Sequence, residues 1–387
     1  MNHVIRIGAG LALAAGLAAS AAAADLKVGL VTALSGPTSS IGIPYGKGMQ
    51  AALAYKPEIA GHKVQLIVLD DASDPTTAGR NARKLIEEDK VDILIGSAGV
   101  PSSMAIAAVA RESKTPMIAL TPIGLAGPEG AWVVAIPQPT ELMVNAVIEQ
   151  MKKAGDKTVA YIGFSDAWGD LVYNALIKGT EGTDIKVVTN ERYARPDTSV
   201  SGQVLKIIAG HPDAVMTGGS GTPGALPYLE LAKRGYKGHI YGNHGLINPD
   251  FVRVAGDSAQ GMIASTGPVV VADQLPATSP IRKMAEEFHA AYLKVNGVPS
   301  TDAFSAYAFD AWLVFADAAA RAVTKTEPGT PAFRVALHDA IVSTKEVVGT
   351  HGVYSFTPDS RYGVDQRARE ADPVSYTHLT LPTKRIV

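Results

Sequence analysis

Ser102 and Ser103 stand just after the apolar run Val91–Ile95 and Gly96, where a helical stretch begins. Hydroxyls beside the unpaired N–H groups of a helix N-terminus can bind an anion, so a carboxylate needs no lysine or arginine there; capping serines look the same. Gly219, Gly221 and Gly224 reproduce the spacing of a dinucleotide-binding turn after a strand, which raises a nicotinamide enzyme as an alternative. Pro223 removes a donor from that turn, and the strand His239–Tyr241 ends in Gly242-Asn243-His244 with no acid for a ribose. Thr222 stands where a nucleophile elbow around Ser220 would need glycine. Asp70, Asp71 and Asp74 suit turns and caps better than a metal, and the histidines lack ligand spacing. His244, at a strand end, is either structural or a cleft residue, and Trp168 opens a helix where an aromatic ring can face a ligand.

These residues need a scaffold, and its pattern repeats. Val91–Ile95 reads as a doubly buried strand, the stretch from Ser102 or Ser103 to Glu112 as a helix opened by cap residues, and Met117–Leu120 as the next strand. An ungapped shift that carries Asp92 onto Asp213 carries Met104 onto Ala225 and Met117–Leu120 onto Gly238–Tyr241. Each copy is a βαβ unit whose turn lies at the carboxyl end of a sheet, where open α/β sheets take ligands.

Further strands are expected at Leu26–Leu34, Lys63–Asp71, Trp132–Ile136, Thr158–Phe164 and Ile185–Thr189. Helices are expected at Thr140–Lys153, Ser201–Ile208, Ala225–Arg234, Pro280–Val295 and Ala303–Ala322, the last apolar over most of its surface and hence buried. The chain should cross between lobes near Gln138, again within Ile263–Val271, and a third time within Val347–Phe356.

The chain has 387 residues, a formal charge of −2 and no cysteine, which gives no electrostatic case for nucleic acid and excludes disulfides and thiol chemistry. Residues 1–24, with Arg6, an Ala/Leu-rich stretch and small residues before Asp25, read as a secretory signal peptide, so a soluble periplasmic protein is expected. Residues 371–387 depart from the preceding pattern and read as a non-native tail, poorly packed, in place of a terminal strand.

Several segments together resemble the type I periplasmic solute-binding proteins of ABC importers, in the branch of branched-chain amino acid binders. They are V-G-L-V-T-A-L-S-G-P, V-L-D-D-A-S-D-P, M-I-A-L-T-P, F-S-D-A-W-G and P-D-A-V-M-T-G-G. The resemblance implies an α/β fold with two lobes, each a mainly parallel sheet flanked by helices, joined by three crossovers. The first lobe would be residues 25–138 plus 266–346 and the second 139–265 plus 347–370.

It further implies a monomeric, non-catalytic binder with no cofactor or metal, which closes over a small carboxylate and passes it to a membrane permease. The candidate ligand-binding residues are Ile41, Val100, Pro101, Ser102, Ser103, Thr121, Pro122, Ile123, Trp168, Ser220, His244 and Phe304. Amino-acid binders of this branch hold the ammonium with a glutamate and a tyrosine; His244 and Ser220 stand at or near those positions. A buried ammonium lacking its carboxylate partner costs several kcal/mol. The expectation is therefore a carboxylate ligand without an α-amino group, as in a sub-branch linked to aromatic acids such as benzoate or hydroxycinnamates.

Overall fold

The computed structural model describes residues 24–124, 127–357, 360–364 and 378–380. The proposed signal peptide and most of the proposed tail lie outside them. In the first lobe, β1 (Leu26–Thr32), β2 (Glu58–Ile59), β3 (His62–Asp70), β4 (Ile93–Gly96), β5 (Met117–Ala119) and β6 (Val133–Ala135) form one sheet in the order β2-β3-β1-β4-β5-β6. All pairings are parallel except β2 with β3. In the second lobe, β7 (Thr158–Phe164), β8 (Lys186–Tyr193), β9 (Ala214–Gly218), β10 (His239–Tyr241) and β11 (Ile263–Ser265) repeat that arrangement. Their order is β11-β10-β9-β7-β8, all parallel.

The residues matched by the internal shift do matched work. Asp92 Oδ2 accepts from Lys27 N at 2.8 Å at the foot of β1, and Asp213 Oδ2 accepts from Lys157 N at 2.9 Å and Thr158 N at 2.8 Å at the foot of β7. Each carboxylate satisfies backbone donors that the first strand of its sheet leaves unpaired.

Helices α1 (Ser39–Tyr55), α2 (Pro75–Glu87) and α3 (Val100–Ser113) belong to the first lobe, and α4 (Thr140–Ala154), α5 (Ala167–Thr180), α6 (Ser201–Ala209), α7 (Leu226–Lys233) and α8 (Pro249–Ala255) to the second. The chain then returns for α9 (Pro280–Asn296), α10 (Phe304–Ala322) and α11 (Pro331–Val342). Asp74 caps α2 by accepting from Thr77 N at 2.7 Å, with Pro75 at the first helical position, as the sequence leads one to expect. Asp166 caps α5 through Trp168 N and Gly169 N. Buried residues occupy nearly every turn of α10, which packs closely on α1. A Cβ at Gly48 of α1 would come within 1.9 Å of the Ser305 carbonyl oxygen, so a side chain there would force the two helices apart.

Gln138 joins β6 to α4, and Thr266-Gly267 leads from β11 back toward α9. The segment expected to hold a third crossover folds on the first lobe instead. Val347–Val348 (β12) and Val353–Tyr354 (β13) form an antiparallel hairpin, and Tyr354, Phe356 and Val364 pack into the first-lobe core with α10. Tyr362 then lies parallel beside Ala135 of β6.

The described residues from 347 to 364 thus pack on the first lobe. The apolar residues of the hairpin find their partners on α10, where Asp310 accepts from Thr350 N, His351 N and Tyr354 Oη. Of the proposed tail only His378–Thr380 lies within the described residues; as β14 it pairs antiparallel with β11 at the edge of the second sheet.

Candidate functional site

A cavity lined by residues of both lobes lies between them, with about 370 Å³ of space free of atoms when the part open to solvent is counted. Most of its lining follows the carboxyl end of a strand. The first lobe contributes Ala98 and Val100 after β4, Leu120, Thr121 and Pro122 after β5, and Pro137 after β6, with Ile41 and Tyr45 from α1 and Phe304 and Tyr307 from α10. The second lobe contributes Trp168 after β7, Arg195 after β8, Ser220 after β9, and His244 and Gly245 after β10.

The first-lobe wall is apolar with hydroxyls turned inward. Thr121 Oγ1 donates to Ser103 Oγ at 2.7 Å, Tyr45 Oη donates to the Leu120 carbonyl, and Tyr307 Oη donates to Gln138 Oε1 at 2.5 Å. Each of these hydroxyl protons is therefore engaged within the wall. The remaining donors on this side are backbone groups at the start of α3. The first intrahelical bond runs from Ser103 N to the Gly99 carbonyl, which leaves the N–H groups of Val100 and Ser102 without helical partners.

The second-lobe wall carries the charge. Among the described residues Arg195 is the one charged side chain in the cavity lining, and its side chain is 14 % exposed. Its Nε binds Asp166 Oδ2 at 2.6 Å, its Nη1 donates to Ser220 Oγ at 3.2 Å, and the guanidinium lies 4.1 Å from the centre of the Phe164 ring. Asp166 already accepts from Trp168 N and Gly169 N, so one carboxylate both starts α5 and sets the direction of the guanidinium. Ser220 accepts from Arg195 and keeps its own proton to donate.

Trp168 donates through Nε1 to the Gly219 carbonyl at 3.2 Å and meets the His244 ring edge-on, with centroids 5.4 Å apart. His244 is 5 % exposed, its Nδ1 has no partner among the described residues, and burial pushes its pKa down to about 4, so the imidazole is neutral at pH 7.

Of the sequence-predicted set, Ile41, Val100, Thr121, Pro122, Trp168, Ser220, His244 and Phe304 come together around the cavity. Pro101, Ser102, Ser103 and Ile123 do not line it. The helix opens two residues earlier than expected, with Gly99 in the cap position and Val100 first, which carries both serines deeper into its first turn. Ser103 Oγ there accepts from Ser97 N at 2.7 Å as well as from Thr121, a structural role. Sequence reasoning missed Tyr45, Ala98, Leu120, Pro137, Gly245, Tyr307 and, above all, Arg195. The predicted strand Ile185–Thr189 stops short of Arg195, and a cation directly before Pro196 was the available signal for it.

The glycine turn is not arranged as a phosphate cradle. Gly221 N donates to the Gly245 carbonyl, Gly224 N to the Gly221 carbonyl and Thr222 N to Ser40 Oγ, so the amides a pyrophosphate would need are already engaged. Asp70, Asp71 and Asp74 make turn and cap hydrogen bonds, and among the described residues no group of three potential ligands could hold a metal.

Two sheets with opposed carboxyl edges around a shared cavity define a two-lobed binding protein. The chain belongs to the periplasmic binding protein family, whose profile matches residues 25–367. An extracellular ligand-binding receptor from Rhodopseudomonas palustris HaA2 is 40 % identical, with a TM-score of 0.87 over 93 % of this chain and 98 % of its own. Leu/Ile/Val-binding protein homolog 3 of Brucella melitensis is 27 % identical over 254 residues, 63 % of this chain and 68 % of its own. A solute-binding protein of an R. palustris ABC transporter, solved in complex with benzoate, shares the fold at 22 % identity, with a TM-score of 0.74 over 86 % of this chain and 89 % of its own.

Proposed function

We propose that this protein is the periplasmic substrate-binding component of an ABC importer. It takes up a small, largely apolar carboxylate, an aromatic or hydrophobic acid, between its lobes and passes it to the permease without chemical change. The reading rests on one observation: among the described residues, the cavity lining holds one charged side chain, Arg195, with a proton-donating Ser220 beside it and no Asp or Glu. A carboxylate placed there gains charge-assisted hydrogen bonds, whereas an ammonium finds a cation and no anion. This orientation reverses the sequence expectation, which put the acid group on Ser102.

Closure follows from ligand contact with both walls, because only a molecule touching both favours the closed arrangement. A second reading, a hydrophobic amino acid ligand, has support in the first-lobe wall, where the oxygens of Thr121, Tyr45 and Tyr307 could accept from an ammonium. Calorimetry with benzoate, p-coumarate and leucine separates the two. The acid reading expects binding of an aromatic acid and none of leucine; tight leucine binding alone would overturn it.

A further inference from the structure

The Gly219–Gly224 turn supplies Ser220 to the cavity, yet its next two residues face the other lobe. Thr222 N donates to Ser40 Oγ of α1 at 3.1 Å, a hydrogen bond between lobes whose acceptor residue is only 6 % exposed. Neither Ser40 nor Thr222 lines the cavity. We propose that Ser40 and the Gly221-Thr222 turn form a clasp that holds the lobes together from outside the ligand cavity.

Three features make the contact a built one. Gly221 has φ +58° and ψ −160°, a conformation that side-chain-bearing residues rarely adopt, and this aims the Thr222 amide at α1. A Cβ on Gly221 would lie 2.6 Å from Ser40 Oγ and 3.6 Å from Ile41 Cδ1, so the bare Cα is what lets the lobes approach. Each half is also fixed to its own lobe. Gly221 N donates to the Gly245 carbonyl at 2.8 Å, while the turn leading into α1 is held by Thr38 N and Oγ1 on Ser73 Oγ at 3.0 and 2.8 Å. The clasp therefore forms only when the lobes meet, and its breaking is a step in opening. It gives a role to glycines that fit a dinucleotide motif and make no such site.

The absence of native cysteine allows paired spin labels on Lys84→Cys of α2 and Lys206→Cys of α6, both exposed, to report the distance between lobes. In ligand-free protein, Ser40→Ala is expected to move population from the short to the long distance by about 3- to 10-fold, the range for loss of one partly buried hydrogen bond. It should also raise the exchange rate of the Thr222 amide. Gly221→Ala, which adds the obstructing carbon, is expected to shift the distances further in the same direction. A Ser40→Ala protein with wild-type distances and wild-type Thr222 exchange overturns the clasp. Neither readout needs a bound molecule, so the acid-binding reading and the clasp fail separately.

Discussion

The turn after β4 and the turn after β9 occupy equivalent places in the two sheets, and Asp92 and Asp213 tie off the opposite ends of those sheets in the same way. Their chemistry nevertheless differs. The first runs directly into a 14-residue helix whose first N–H groups have no helical partners. The second passes through a left-handed glycine and a short 3-10 turn, engages its amides locally and across the cleft, and leaves polarity to side chains. Repeated topology fixes where a site lies; it does not fix which wall carries the charge. Here that charge comes from Arg195, after β8, where the internal repeat gives no guidance.

The sharpest test of this asymmetry is Arg195→Gln. A charge-assisted hydrogen bond contributes about 1.5–3 kcal/mol, so benzoate affinity measured by calorimetry should fall by roughly 10- to 100-fold. Trp168→Ala removes an aromatic wall and the hydrogen bond to Gly219, and should weaken the same ligand by about 10-fold. Ser102→Ala should change affinity by about 2-fold or less, since the residue lies outside the lining; a loss exceeding that of Arg195→Gln would move the acid group to the first lobe.

The remaining expected effect concerns pH and stability rather than ligand affinity. The folded-state pKa of His244, about 4, lies below its ordinary 6.5, so protons bind the unfolded chain more readily. Its contribution to stability is present above pH 6.5 and is lost as pH falls toward 4, by at most about 3 kcal/mol. His351, pushed down to about 3 by burial, acts in the same sense, whereas Asp310, raised to about 6 by burial, acts in the opposite one. Thermal unfolding of His244→Gln against wild type isolates the first term: the variant should lose less stability between pH 6.5 and 4.

Local signals in the sequence carried far. Asp74-Pro75 announced α2, the unbroken apolar surface of Phe304–Ala322 announced a buried helix, and the shift from Asp92 to Asp213 located both sheet edges. What stayed hidden depends on contacts distant along the chain. Arg195 matters because Asp166 and Ser220 hold it, and no local pattern joins those three. The Val347–Tyr354 hairpin reads as a crossover until α10 is seen to hold it through Asp310. Ser102 and Ser103 were misplaced by two residues because Gly99 and Pro101, rather than the serines, open the helix.

Tyr307 has a consequence for how filling the cavity is felt elsewhere. One side of its ring helps enclose the ligand space; the ring stacks on His351 at 3.8 Å, and its hydroxyl ends on Gln138 of the first connection between lobes. A guest molecule therefore leans on the pivot itself, and the fit of its bulk against one phenol bears on the angle at which the two halves come to rest.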